Sequence, residues 1–122
     1  MKIKDVTGER SFTILKDVIP FIEKFAENKS FQAIFNGDGL PEDKEEQLNV
    51  VVDRITENMP DLIADARDDL VGYFSLLEDT TPEKYRKDIS VGKIMAGITD
   101  MFSDEHFQTF FRPRLKKARK RG

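Results

Sequence analysis

Cysteine is absent from this chain of 122 residues, as is tryptophan, and there is a single histidine, His106. Without thiols the chain can hold neither a disulfide framework nor a thiolate metal site, which fits a reducing compartment. The nearest acids to His106, Asp104 and Glu105, stand at i−2 and i−1, not one helical turn away. His106 therefore reads as a solvated surface residue. No apolar run approaches the roughly 18 residues that a membrane span requires, and Met1-Lys2-Ile3-Lys4 leads into no secretory apolar region. These absences point to a soluble, intracellular chain with no membrane partner.

Reaction chemistry is equally thin. No serine has an evident histidine and acid partner, and no pair of carboxylates falls inside an apolar stretch. Asn36-Gly37-Asp38-Gly39 lacks the lysine and Ser/Thr of a phosphate-binding loop and the ligand spacing of a calcium loop, so it reads as a turn. Asp61, Asp65, Asp68 and Asp69 fall near one side of a helix, but no Glu-x-x-His pair accompanies them. They read as a solvated acidic face. The sequence thus offers no catalytic residue, no metal site and no cofactor motif.

Charge and phenylalanine are what the chain has in quantity. Apolar residues make up 39% and charged residues 35%, too apolar for disorder throughout and polar enough for a heavily charged surface over a modest core. Ten of the twelve aromatics are Phe, so bulk comes without hydrogen-bonding demand. The charge is divided unevenly. Residues 1–111 hold 13 basic and 23 acidic side chains, a balance of −10. Residues 112–122 carry seven cations, Arg112, Arg114, Lys116, Lys117, Arg119, Lys120 and Arg121, and no acid.

Apolar periodicity predicts an all-α, single-domain bundle of five to seven helices over residues 1–111. Lys2-Ile3-Lys4-Asp5-Val6 alternates in period two, as a short strand or an unstructured arm would. From Glu9 to Ala26 a wide stripe (Phe12, Leu15, Ile19, Ile22, Ala26, flanked by Ile14, Val18, Phe21 and Phe25) suggests a central helix covered on more than one side. Pro20 kinks it or starts a second helix. Ser30 suits the N-cap of a short helix to Phe35. Beyond the turn, Leu48, Val51, Val52, Ile55 and Met59 mark one helix, which Pro60 ends. Leu62, Ile63, Ala66, Leu70, Tyr73, Phe74 and Leu77 mark the next. Thr81 with Pro82 starts another, and Ser90 caps one whose buried face reads Val91, Ile94, Met95, Ile98 and Phe102. Ser103 caps the last, which Pro113 bars from entering the basic segment.

Two features remain for partners. Phe102, Phe107, Phe110 and Phe111, beside Met101, exceed what one buried side of a helix of about two turns accommodates. They form either a partner surface or the last layer of the bundle. On the first alternative, Phe107→Asp with Phe111→Asp leaves the monomer folded and abolishes partner binding. The basic segment 112–122 reads as a disordered, solvated tail, with contact to an acidic protein surface, the body of the chain included, as the second choice. A small nucleic-acid-binding regulator is a third, but no aromatic or amide side chain is interleaved for stacking or base readout, and the acidic body repels polyanions.

The order of helices and a run of short signatures carry a family resemblance. They are Leu62-Ile63-Ala64-Asp65, Leu76-Leu77, Thr81-Pro82-Glu83-Lys84-Tyr85, Ile89-Ser90-Val91-Gly92-Lys93-Ile94, Asp104-Glu105-His106-Phe107 and Phe110-Phe111. With the apolar first helix, the length and the charged end, most of the chain resembles the small tail assembly chaperones of long-tailed bacteriophages, or prophages, of Gram-positive bacteria. The resemblance implies a protein without catalytic activity that coats the tape measure protein and brings tail tube subunits to it. It implies action in the host cytoplasm and absence from the mature virion. It further implies a longer, frameshifted form of the same chain, for which Lys116-Lys117 is the candidate slippage point.

Overall fold

The computed structural model describes residues 1–36 and 39–121, with the backbone alone at Arg121. A single 3₁₀ turn, Ile3–Asp5, precedes six α-helices: α1 (Arg10–Glu27), α2 (Lys29–Ile34), α3 (Lys44–Leu77), α4 (Pro82–Asp88), α5 (Val91–Ser103) and α6 (Glu105–Arg121). There is no strand among the described residues. Helix α3 is the spine, about 50 Å long at 1.5 Å per residue. Helices α1, α2, α4 and α5 pack against it, and α6 lies along α1. Glu23 meets Arg114 at 3.6 Å, and Glu27 shares a surface hollow with Ala118 and Arg119, so α1 and α6 run parallel.

The core joins these helices through rings. Phe25 stacks on Phe31 at 4.5 Å, Phe31 on Phe35 at 5.6 Å, and Phe107 on Phe111 at 5.1 Å. Tyr73 meets Phe25, Phe74 and Phe107 edge-on between 5.6 and 5.9 Å. The Tyr73 hydroxyl is buried without a hydrogen-bond partner. Burial first, and the charge of Asp104 second, push its pKa well above 10, so the phenol stays neutral.

Two close approaches set helix spacing. A Cβ at Gly97 of α5 would stand 2.7 Å from the Phe74 ring of α3, and one at Gly72 of α3 would stand 2.7 Å from the ring of Phe21 in α1. Phe74 is buried whereas Phe21 is half-exposed, so only the second ring has room to yield.

At the α5–α6 corner the buried Asp104 accepts from three backbone donors. Its Oδ1 takes the His106 and Phe107 N–H groups at 3.1 and 3.4 Å, capping α6, and its Oδ2 takes the Ile3 N–H at 2.6 Å. The cap of α6 is therefore Asp104, and Ser103 is the last residue of α5. The same carboxylate ties the N-terminal turn to the bundle, where Ile3 and Val6 are buried.

Several sequence expectations are corrected. The segment Lys2–Val6 is a 3₁₀ turn, with no strand, because the Asp104 carboxylate and the core claim its donor and its apolar side chains. Asn28, accepting from the Phe31 N–H, caps α2 in place of Ser30, which is buried inside the helix. Thr81 and Ser90 do cap α4 and α5, by accepting from Lys84 and Lys93. Pro20, Pro60 and Pro113 all lie inside continuous helices. Each ring sits on an exposed face, where water can take the carbonyl left without a donor, and burial of the opposite face offsets the cost of about 3 kcal/mol. One residue on from Pro113, the Arg114 guanidinium donates to the Phe110 carbonyl at 2.8 Å. Helix α6 therefore runs on through the segment expected to be a disordered tail and crosses the boundary drawn at residue 111, with Leu115 buried. The turn at Asn36–Gly39 lies partly outside the described residues.

Burial also departs from the pattern. Helix α1 is covered on one side only, leaving Phe12 77% and Leu15 46% exposed. In α5, Val91 is 79% exposed and Ile98 alone of the expected face is fully buried.

Gly97→Ala is expected to cost about 1–3 kcal/mol in chemical denaturation, because the buried Phe74 ring cannot move aside. Gly72→Ala should lie within about 1 kcal/mol of wild type, since Phe21 can swing outward and alanine favours the helix. Asp104→Ala is expected to cost about 2–4 kcal/mol, the sum of a lost cap and a buried Ile3 N–H left unpaired. A cost below about 0.5 kcal/mol would show that this corner does not hold the N-terminal turn.

Candidate docking groove

The N-terminal turns of α3 overshoot the aromatic core, and the end of α5 with the start of α6 rises opposite them. Between these walls lies an open groove of about 770 Å³. Leu48 and Gln47 line it from α3, Phe102 from α5, and Gln108, Thr109 and Pro113 from α6. The pattern explains why apolar groups face it. Leu48 stands one turn before the buried Val51 and continues the same stripe past the point where the core can cover it, at 37% exposure. Phe102 stacks at 6.1 Å on Phe35 and is left half-exposed.

Both walls are braced by amide side chains. Gln108 Nε2 donates to the Phe102 carbonyl at 3.1 Å, fixing the α5–α6 corner. Gln47 Nε2 donates to the Pro41 carbonyl at 2.7 Å, fixing the segment that enters α3. The rim carries both signs on both sides: Lys44 and Glu45 on α3, Glu105 and Arg112 on α6. All four are exposed, and none takes part in the ion pairs formed among the described residues. Apolar floor and bipolar rim match the faces of an amphipathic helix, and the open shape suits a helix better than an enclosed small molecule.

The candidate partner residues divide. Phe107 and Phe111 are fully buried, stacked on each other and meeting Phe35 at 6.0 and 5.4 Å, so they are unavailable on the folded monomer. Phe35 and Tyr73 supply ring partners from the end of α2 and from α3, which is why one helix can bury so much bulk. Phe110 is half-buried against the same core. Only Phe102 reaches the groove, joined there by Arg112 of the basic segment. Periodicity places Leu48 in the apolar stripe of its helix. Its place at the leading edge of the stripe, next to the turn-rich Asn36–Pro41, was the available signal for exposure.

The remaining basic residues lie along the last turns of α6. Arg114 pairs with Glu23, while Lys116, Lys117, Arg119 and Lys120 are exposed; the side chain of Arg121 lies outside the described residues. His106 is exposed. Asp68 pairs with Arg86 at 2.8 Å and Asp69 with Lys24 at 3.4 Å. Among the described residues no group of three or more His, Asp or Glu side chains is placed to hold a metal ion, and no helix is long and apolar enough to cross a membrane.

No protein-family model matches the chain, and no curated protein or solved structure matches it.

Phe107→Asp together with Phe111→Asp is therefore expected to unfold the domain, since two charges would enter the aromatic core without partners. Far-ultraviolet circular dichroism reads this directly. A native helical spectrum from that variant would return both residues to the surface.

Proposed function

We propose that the chain is a non-catalytic assembly chaperone that holds an amphipathic helix of its client in the groove between α3 and α6. The observation that carries this reading is the pairing of exposed Leu48 and half-exposed Phe102 on a braced floor, under a rim of unpaired charges of both signs. Such a floor contributes area removed from water at roughly 25 cal/mol per Å², and the rim selects orientation more than it adds affinity. The charged lining groups are all exposed, an arrangement suited to transient contact and poorly suited to tuned acid–base work.

The resemblance to phage tail assembly chaperones supports naming the client. A tape measure protein is long and helical, with apolar stripes that need cover before the tail tube encloses them. On this reading the groove takes one stretch of that stripe, and tail tube subunits are recruited to the complex.

The test is co-expression of the chain with a tape measure protein, followed by co-purification and a titration with a peptide from its helical region. Leu48→Asp with Phe102→Ser should weaken peptide binding by roughly tenfold or more, with the helical spectrum kept, because it puts a charge on the apolar floor and removes the ring. Unchanged peptide affinity in the folded variant would remove the groove as the client site.

A further inference from the structure

Beyond the groove, and independently of it, we infer that the chain binds a second copy of itself, the basic last turns of α6 in one copy lying along the acidic outer face of α3 in the other. The two halves of this contact are both on the chain. Lys116, Lys117, Arg119 and Lys120 are exposed on a helix, which fixes their spacing over about one turn, and none of them makes an ion pair among the described residues. Cations suit the C-terminal end of a helix, so the helix tolerates them there, but seven in ten residues exceed what one helix dipole can satisfy.

The complement is a ridge on α3. Glu46, Asp53, Glu57, Asp61, Asp65 and Asp68 follow one another at intervals of 7, 4, 4, 4 and 3 residues, which keeps them on one face over about 33 Å. All six are exposed, and of the six only Asp68 is in an ion pair. A chain cannot satisfy its own ridge with its own tail. By helical spacing the ridge is opposite the buried stripe Val51, Ile55, Leu62, Ala66 and Tyr73, so the body of α3 stands between it and the core on which Phe107, Phe111 and Leu115 anchor α6. Among the described residues, the acids that share a surface hollow with the α6 end are Glu23, paired with Arg114, and Glu27, which is also engaged.

A second copy supplies both complements at the same concentration. If each basic end lies on the other copy's ridge, the contact is reciprocal and closes at a dimer. Surface pairs of this kind are individually weak and screened by salt, so the association is weak and salt-dependent.

The experiment measures mass by sedimentation equilibrium at about 0.1 M and about 1 M salt, where the screening length falls from roughly 10 to 3 Å. The expected result is a doubled mass at the lower salt and the monomer mass at the higher. K116E/K117E/R119E/K120E and, separately, E57K/D61K/D65K should each be monomeric at the lower salt with unchanged helical spectra. Mixing the two reversed variants should restore the doubled mass. A wild type that is monomeric at both salts, or a mixture that stays monomeric, overturns the proposal. So does retention of the monomer on duplex DNA that the α6 reversal abolishes, which would make the occupant a nucleic acid. Peptide binding in the groove is read separately on Leu48 and Phe102, so either reading can fail alone.

Discussion

Everything in this fold depends on a continuous network of stacked and edge-on rings that joins α1, α2, α3 and α6. Phe35, at the end of α2, meets Phe31, Phe102, Phe107 and Phe111, and Phe107 in turn meets Tyr73 on α3. Phenylalanine makes this economical: its bulk comes with no donor or acceptor to satisfy, and ring pairs add about 0.5–1.5 kcal/mol beyond burial. Tyr73 is the exception, its hydroxyl enclosed and unpartnered. Such a group costs roughly 1–3 kcal/mol, so the packing of its ring must outweigh it.

The network also explains where surface is left over. Helix α3 is longer than the core it spans, so its first turns leave the rings behind and form one wall of the groove. Helix α6 is pinned by Phe107, Phe111 and Leu115, and the polar turns beyond follow because a helix continues more cheaply than it restarts. Asp104 fixes the corner between α5 and α6 and thereby the second wall. Its charge is tolerated inside because three backbone N–H groups replace the water it gave up.

Much of the architecture was legible. Helical class, helix number and the caps at Thr81 and Ser90 follow from period and local chemistry, which do not depend on distant contacts. The errors at the prolines share one cause. Pro60 and Pro113 were taken as stops because the local penalty is large, yet what decides is whether the ring faces water, and that is a property of the assembled bundle. The helical tail was visible in part, since Leu115 extends the Phe107, Phe111 stripe by another four residues. Phe12 and Leu15 were read as core because amphipathicity cannot say how many neighbours a helix has. The groove was not legible at all: Leu48 and Phe102 line it from 54 positions apart in sequence, and no periodicity announces that they share a surface.

The two surfaces of α3 are separated by the helix itself. Glu46 and Leu48 are two residues apart, hence about 200° apart around the axis, so the acidic ridge and the apolar groove face opposite ways. A client helix in the groove and a basic helix on the ridge therefore do not compete for space. They differ in kind as well, one resting on area removed from water and the other on charges that salt screens. On the two readings proposed above, a client helix and a second copy call for two different surfaces, and one long amphipathic helix can present them only if its polar side is as organised as its apolar side. In α3 it is.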